Sequence, residues 1–265
     1  MNALRCRMII VFFLLISLLT VAACTTPSSK STMPIGPDVI WDLVIIGDSS
    51  LWKLGKAYAA QIEKDVGVKV VLHDFANRYG SAGTILKVLE PGDDQSEGLI
   101  AALKDAEVVV MFVNPMDSID PQKPHDLEQC FLFKAPESCP PEAFEKYTAD
   151  LEVIWAEIFN LRNGQPIILR ATDIYNPLVR PWTLKNVLEP CTACWEMMNN
   201  AAQLAAETYN IPFLSRHDAF NGVTHIEDPR EKGYIDPDGE HPTDLMGQYT
   251  AELLSEMGYA PVTPP

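Results

Sequence analysis

The chain has 265 residues, a hydrophobic fraction of 47% and a formal net charge of −16. This length and composition suit one α/β domain with a single core, rather than a disordered chain. An acidic surface of this kind repels nucleic acid and anionic lipid headgroups, so no nucleic-acid partner is expected.

The first 23 residues have the pattern of a targeting segment. Two arginines precede a short apolar run, 8–23, and such a run directs export rather than forming part of a fold. The small residues of Val21-Ala22-Ala23-Cys24 resemble the lipobox of a bacterial lipoprotein signal. The resemblance implies that residues 1–23 are removed and that Cys24 is diacylated, which anchors an extracytoplasmic protein to a membrane. An uncleaved signal anchor or an ordinary secretory peptide remains the alternative.

Residues 24–37 are interpreted as the lipidated cysteine followed by a tether. The run after Cys24 is rich in proline, serine and threonine, and it cannot bury enough apolar surface to order itself. The folded domain is therefore expected over residues 38–265, without an internal repeat or a second linker.

Four apolar, β-branched runs predict strands, at 39–46, 68–72, 108–113 and 167–169. Strands that are apolar almost throughout belong to a parallel sheet covered on both faces. Segments with helical spacing alternate with them or follow them, at 52–65, 84–89, 98–106, 144–161, 195–209 and 244–257. The alternation predicts an α/β fold, a three-layer αβα sandwich around a central, mostly parallel sheet.

Two long irregular insertions follow the third and fourth strands, at 115–141 and 172–190. Loops this long inside a compact domain are usually functional, and ligands of parallel sheets bind beyond the carboxyl ends of the strands. The insertions are therefore expected to form the walls of a substrate pocket. Four aromatic residues in or near them suit ordinary packing as well as a pocket lining, and none is assigned to the site: Phe131, Tyr175, Trp182 and Trp195.

Ser49 is the candidate nucleophile. Gly47-Asp48-Ser49 directly follows the first predicted strand and precedes a helix expected from residue 52. A hydroxyl at such a turn meets backbone donors and the positive end of a helix dipole. The alternative is a helix-capping turn, because aspartate and serine are favoured caps.

Asp238 and His241 are the candidate acid/base partners. An aspartate three residues before a histidine can fold its carboxylate onto the imidazole and fix the tautomer. Pro242 keeps His241 extended ahead of the final helix, since the residue before a proline avoids the helical region. A capping loop is again the alternative.

Together, in this order and separation, the two motifs resemble the first and last blocks of the SGNH/GDSL hydrolase family, Gly-Asp-Ser and Asp-x-x-His-Pro. The resemblance implies a flavodoxin-like SGNH hydrolase fold across the domain. It also implies hydrolysis of a carboxylic ester through an acyl-enzyme, with Ser49 as nucleophile, His241 as general base and Asp238 orienting the imidazole. A lipid acyl ester and a carbohydrate O-acetyl ester both remain open as substrates.

Family members stabilise the oxyanion with the backbone of the nucleophile, a glycine of the second block and an asparagine of the third. By resemblance these positions are Ser49, Gly83 and Asn114, with Gly80 competing for the second. The chain departs from the family here, because the third block is usually Gly-x-Asn-Asp. Phe112-Val113-Asn114-Pro115 lacks both the glycine and the second acid, and Asn-Pro is also an ordinary turn dipeptide.

The domain contains an even set of cysteines, Cys130, Cys139, Cys191 and Cys194. In an oxidising compartment they are expected to pair by proximity, Cys130 with Cys139 and Cys191 with Cys194. A thiol redox site at Cys191-Thr-Ala-Cys194 is the alternative, and a zinc site would need two further ligands. The other histidines show no metal-ligand spacing and no phosphate-binding loop is present, so neither a metal nor a nucleotide cofactor is expected.

Three functions from different classes follow. The first is the ester hydrolase, and the second is a non-catalytic lipoprotein that binds a glycan or a lipid on the same fold. The third is a thiol oxidoreductase, which requires an exposed, reducible Cys191 and Cys194. The hydrolase requires Ser49 and His241 within hydrogen-bond reach of each other, whereas the binding protein does not.

Overall fold

The computed structural model describes residues 33–90, 97–118 and 127–263. The predicted signal segment, Cys24 and most of the predicted tether lie outside these residues. The last part of the predicted tether contacts the domain, since Met33 is buried and the Pro34 carbonyl accepts a hydrogen bond from the Trp41 indole at 3.0 Å.

A five-stranded parallel sheet forms the centre of the domain, in the strand order β2-β1-β3-β4-β5. The strands are β1 (Ile40–Gly47), β2 (Lys69–Ala76), β3 (Val108–Met111), β4 (Ile168–Thr172) and β5 (Phe213–Leu214). The four predicted strands are confirmed. The fifth was not predicted, because it has only two residues and follows a proline.

Nine α-helices lie within the described residues. They are α1 (Leu54–Val66), α2 (Ala82–Leu89), α3 (Glu97–Asp105), α4 (Leu127–Phe131), α5 (Glu145–Arg162), α6 (Val179–Leu184), α7 (Leu188–Thr208), α8 (Arg216–Asn221) and α9 (Asp244–Glu256). Three short 3-10 turns accompany them, at Ser49–Leu51, Pro141–Phe144 and Pro229–Lys232. Two of the short helices, α4 and α6, lie inside the insertions that the sequence predicted to be irregular.

Alternating side chains of the sheet face two helical layers. On β1, Val44 and Ile46 join the core that contains α2, α3, α5 and α7, whereas Leu43 and Ile45 join the core with α1 and α9. All four side chains are fully buried, as expected for parallel strands covered on both faces. The predicted three-layer αβα sandwich is confirmed.

After α9 the chain returns to the sheet. The Val262 N–H donates to the Ile167 carbonyl at 2.8 Å, and the two residues form an antiparallel bridge. The buried Arg170 guanidinium donates to the carbonyl of Gly258 at 2.6 Å. These bonds hold the segment after α9 against the start of β4.

The disulfides pair differently from the prediction. Cys130 is bonded to Cys191 and Cys139 to Cys194, with Cα–Cα distances of 5.5 and 5.3 Å, which lie in the usual range for a disulfide. The predicted pairs Cys130–Cys139 and Cys191–Cys194 are therefore wrong. The reason is that α7 begins at Leu188 rather than at residue 195, so Cys191 and Cys194 share one helix face and both meet the insertion that carries the other two cysteines.

No helix within the described residues combines the length and the apolar character needed to cross a bilayer.

Candidate active site

Ser49 lies in a tight turn at the carboxyl end of β1. The Asp48 carboxylate caps this turn by accepting the Ser50 N–H at 2.8 Å. Gly47 is required before it, because a Cβ atom there would lie 2.6 Å from the Phe112 carbonyl oxygen. Helix α1 begins at Leu54 instead of residue 52, so a 3-10 turn and a left-handed Lys53 (φ 72°) separate Ser49 from the helix.

The structure brings the three predicted catalytic residues together. His241 Nε2 lies 3.0 Å from Ser49 Oγ, although 192 residues separate them in the sequence, and His241 Nδ1 lies 2.7 Å from Asp238 Oδ2. Both distances are those of ordinary hydrogen bonds. The arrangement has the connectivity of a catalytic triad: a hydroxyl, an imidazole that can take its proton, and a carboxylate that orients the imidazole.

Asp238 is held in its ionised form. Its Oδ1 accepts the backbone N–H groups of Glu240 at 2.9 Å and His241 at 3.1 Å. These two bonds, together with the bond to the imidazole, lower the pKa of Asp238 from 3.8 to about 2. Hydrogen bonds donated to a carboxylate favour its charged form, so Asp238 presents a negative charge to His241 at neutral pH.

Two side chains fix the backbone of the loop that carries Asp238 and His241. One guanidinium nitrogen of Arg230 donates to the carbonyls of Pro177 and Gly239, each at 2.7 Å. The hydroxyl of the buried Tyr175 donates to the Glu240 carbonyl at 3.0 Å. The loop is therefore tied to the insertion that follows β4.

Close packing of α9 positions His241 from the other side. Gly247 of α9 lies against the backbone of Lys53, and a Cβ atom at Gly247 would lie 2.6 Å from the Lys53 carbonyl oxygen. Lys53 also forms an ion pair with Asp244 in the first turn of α9, at 3.4 Å. The absence of a side chain at Gly247 therefore sets the distance between the Ser49 turn and the His241 loop.

Trp52 stacks on the imidazole of His241. The Trp52 and His241 rings lie 4.5 Å apart between centroids, with an interplanar angle of 17°. This stacking fixes the plane of the His241 ring beside Ser49, and the face of a tryptophan attracts a cation. The contact was not predicted from the sequence, in which Trp52 was interpreted as the first residue of a helix.

The candidate oxyanion donors follow β1, β2 and β3 along the chain. Asn114 Nδ2 lies 3.4 Å from Asp48 Oδ2, and the Asn114 N–H donates to the Gly80 carbonyl at 2.7 Å. Gly80 fits closely beside the Ser49 turn, since a Cβ atom there would lie 3.1 Å from Asp48 Cβ. The Gly83 N–H instead donates to Asp117 at 3.1 Å. The N–H of Gly83, the predicted donor, is therefore already bonded within the protein, and Gly80, the competing glycine, lies directly beside the Ser49 turn.

A buried polar cluster lies behind the Ser49 turn. The Arg216 guanidinium donates to the carbonyl and, at 3.3 Å, to the hydroxyl of Ser50, and it lies 4.9 Å from the Tyr175 ring centroid. Asp173 accepts the Ser215 hydroxyl at 2.7 Å and the Arg216 and His217 N–H groups. Burial nevertheless raises the pKa of Asp173 from 3.8 to about 6. No motif signals this cluster, because its members become neighbours only in the fold.

A cavity of about 300 Å³ opens at Ser49 and His241. Both insertions contribute to its walls, through Met116 and Phe131 of the first and Tyr175 and Leu178 of the second, which confirms their predicted place. Of the aromatic residues left unassigned, Phe131, Tyr175 and Trp195 line the cavity, whereas Trp182 is buried elsewhere in the core.

The four cysteines do not form a thiol site, because Cys191 and Cys194 are buried and each is bonded to a different partner. Within the described residues, no group of three or more histidine, cysteine, aspartate or glutamate side chains is arranged to hold a metal ion.

Comparisons with known proteins identify the fold. The sequence matches no protein-family model and no curated protein. An acetyl xylan esterase, AlAXEase, superposes with a TM-score of 0.50 at 11% identity, over 82% of this chain and 99% of that one. The chain has the SGNH hydrolase fold. A putative SGNH hydrolase from Slackia heliotrinireducens gives a TM-score of 0.48 at 13% identity, over 83% and 100% of the two chains. TesA gives 0.46 at 16% identity, over 82% and 96%.

The SGNH hydrolase fold accounts for the convergence of distant segments. In a parallel sheet the carboxyl ends of all strands lie at one edge. Ser49 follows β1, Gly80 follows β2 and Asn114 follows β3, so the three meet at that edge, where the loop before α9 brings His241.

Proposed function

We propose that this protein is a serine hydrolase of carboxylic esters. The observation that carries the proposal is the continuous hydrogen-bonded relay from Ser49 Oγ through the His241 imidazole to the Asp238 carboxylate. A serine hydroxyl is a weak nucleophile until an aligned base removes its proton during attack, and this relay supplies both the base and the group that orients it.

The reaction proceeds in two halves. In the first, Ser49 Oγ forms a bond to the ester carbonyl carbon while His241 Nε2 takes the hydroxyl proton, and the imidazolium then gives that proton to the departing alcohol. In the second, water loses a proton to His241 and attacks the acyl-enzyme, which releases the acid and restores Ser49. Asp238 stays ionised throughout and stabilises the imidazolium in both halves.

The negative charge on the carbonyl oxygen needs donors in place before the reaction. The proposed donors are the Ser49 N–H, the Gly80 N–H and the Asn114 amide. Gly80 replaces Gly83 in this role, because the Gly83 N–H is donated to Asp117. The chain lacks the aspartate that usually follows the third-block asparagine, because Pro115 stands there. Asp117, two residues further on, still places a carboxylate beside Ser81 and Gly83.

The proposed place of action is outside the cytoplasm, with diacylated Cys24 as the membrane anchor. The leader pattern of residues 1–23 supports this, and the two disulfides are compatible with an oxidising compartment. Mass spectrometry of the mature N-terminus tests the proposed anchor and should find a diacylglyceryl group on Cys24. The Cys24→Ala protein should, in addition, be released from the membrane. An unmodified or cytoplasmic protein would contradict the proposal.

The hydrolase is tested with a fluorophosphonate serine probe and p-nitrophenyl acetate. We expect Ser49→Ala to abolish labelling and to lower kcat/KM by at least about 10³-fold, and Asp238→Asn to lower it by on the order of 10²- to 10⁴-fold. Ser255→Ala on α9 is the matched control, since Ser255 bonds Asp65 on the far side of that helix, and it should keep both activities. A folded wild-type protein that neither reacts with the probe nor turns over the ester would instead favour the non-catalytic binding protein.

A further inference from the structure

The cavity at the active site has two chemically different parts. Its polar part contains Ser49, Asn114 and His241. Much of the remaining lining is aromatic and aliphatic, and it includes Phe131, Phe133, Trp195 and Met198. A polar end beside an apolar chamber suits a ligand with a reactive carbonyl and an apolar chain.

The apolar wall is built from two segments that are distant in the sequence. Trp195 and Met198 lie three residues apart on α7 and therefore share a face. Phe131 ends α4, and its ring lies 5.8 Å from that of Trp195. The two segments thus meet through aromatic contact at the wall itself.

The two disulfides join the segment that carries Phe131 and Phe133 to α7, one before and one after these phenylalanines in the sequence. Cys130, immediately before Phe131, is bonded to Cys191, and Cys139, six residues after Phe133, is bonded to Cys194. Both cysteine partners lie on α7, within the turns that precede Trp195 and Met198. The Trp182 indole donates a hydrogen bond to the Cys130 carbonyl at 2.8 Å, which also holds the segment around Cys130 in place.

We propose that this chamber, held by the two disulfides, binds the acyl chain of the substrate and selects esters of medium-chain apolar acids over acetyl esters. The inference rests on the proposed ester hydrolysis and names its substrate class. A methylene group occupies about the volume share of a water molecule, roughly 30 Å³. The cavity of about 300 Å³ also has to hold the ester group in its polar part, so it has room for at most about ten such groups, whereas an acetyl group would leave the apolar part unfilled.

The first test is a series of p-nitrophenyl esters with acyl chains of two, four, six, eight and twelve carbons. With the leaving group constant, kcat/KM should rise about fourfold for each added methylene that is buried, and should stop rising beyond roughly ten carbons. A maximum at the acetyl ester overturns the inference while leaving the hydrolase intact. An acetate series with lengthening alcohols should stay flat, and a steep rise there would assign the chamber to the alcohol instead.

Binding separates this inference from the proposed chemistry. Calorimetric titration of the Ser49→Ala protein with p-nitrophenyl octanoate and p-nitrophenyl acetate measures the chamber without turnover. At least tenfold tighter binding of the octanoate is expected, even if the wild-type protein proved unable to hydrolyse either ester. Equal affinities would overturn the acyl-chain assignment.

The wall is tested by substitutions within one short stretch. Phe131→Ser and Phe133→Ser should lower the ratio of octanoyl to acetyl turnover by about tenfold or more, because each removes a large apolar contact from the chamber. Leu132→Ser is the matched control: Leu132 lies between them, is 61% exposed and does not line the cavity, so both activities should persist. A ratio unchanged in both phenylalanine variants would refute the proposed wall.

The disulfide requirement is tested with the double variant Cys139→Ser/Cys194→Ser. If the wall depends on this bond, the ratio of octanoyl to acetyl turnover falls while far-ultraviolet circular dichroism shows that the fold is kept. If the ratio is retained in the folded double variant, the Cys139–Cys194 bond does not hold the chamber and that part of the proposal is overturned. Met198→Phe offers an independent measurement, since it partly fills the chamber and should shift the optimum to shorter chains, whereas Met197→Phe, outside the cavity lining, should not.

Discussion

Replacement of Asp173 by asparagine tests the energetic cost of the buried charge behind the nucleophile turn. Burial raises the pKa of Asp173 from 3.8 to about 6. A group that binds its proton more tightly in the folded state contributes stability that is complete below its unfolded pKa and is lost as the pH rises through its folded pKa. Since a pKa difference of one corresponds to about 1.4 kcal/mol, the wild-type protein loses on the order of 3 kcal/mol between about pH 4 and pH 6 through this residue.

Asparagine preserves the local hydrogen bonds without the charge. Its amide oxygen can accept the two backbone N–H groups that now donate to Asp173, and its amino group can donate to the Ser215 hydroxyl. Asp173→Asn should therefore match the wild type in free energy of unfolding at pH 4 and exceed it by up to about 3 kcal/mol above pH 7.

Urea unfolding followed by circular dichroism at pH values from 4 to 8 measures the difference between the two proteins. Burial also lowers the pKa of His217 from 6.5 to about 3, which makes stability rise with pH in part of the same window. That contribution is common to both proteins and cancels in the difference curve. A difference that does not change with pH, or a variant less stable than the wild type at pH 8, would refute the reasoning.

Two further predictions concern the position of His241. Trp52→Leu removes the ring stacked on the imidazole and should lower kcat/KM by about two- to tenfold, the equivalent of roughly 0.5–1.5 kcal/mol. Trp52→Phe keeps an aromatic ring and should retain most of the activity. Equal activity in the wild type and both variants would show that Trp52 has no role in catalysis. Gly247→Ala places a Cβ atom 2.6 Å from the Lys53 carbonyl oxygen, which should force α9 away from the Ser49 turn and lower kcat/KM by on the order of tenfold or more. The control Gln248→Ala, on the exposed side of α9, should leave kcat/KM unchanged. Wild-type kinetics in the Gly247→Ala protein would show that the close approach is unimportant.

Much of the fold and the triad could be predicted from the sequence because the signals are local. The apolar run before Gly47 marked β1, and Gly-Asp-Ser at its end marked the nucleophile turn. An aspartate three residues before a histidine that precedes proline was sufficient to predict the Asp238–His241 pair, since the short spacing itself permits the hydrogen bond. The position of these residues at the carboxyl edge of the sheet follows from parallel topology.

The parts that sequence did not reveal depend on contacts between distant segments. The disulfide partners of Cys130 and Cys139 are set by the early start of α7, which the proline at its third position obscured. The bond from the Gly83 N–H to Asp117, on which the proposal of Gly80 as donor rests, could not be predicted because it joins residues of different loops that are 34 positions apart. Arg216 and Trp52 carry no motif, because their roles arise from what the fold places beside them.

The wide separation of Ser49 and His241 along the chain also has a consequence for the timing of activity. The first strand and the Ser49 turn are encoded early, but His241 directly precedes α9, and the segment after α9 is bonded to the sheet through the Ile167–Val262 bridge. If Ser49 and His241 act as proposed, a growing polypeptide that has not yet produced this last helix has its nucleophile but no base, and it cannot attack esters. Under the proposed mechanism, ester hydrolysis requires the complete fold. Truncated or partly folded copies would therefore be inactive and would not hydrolyse esters unselectively.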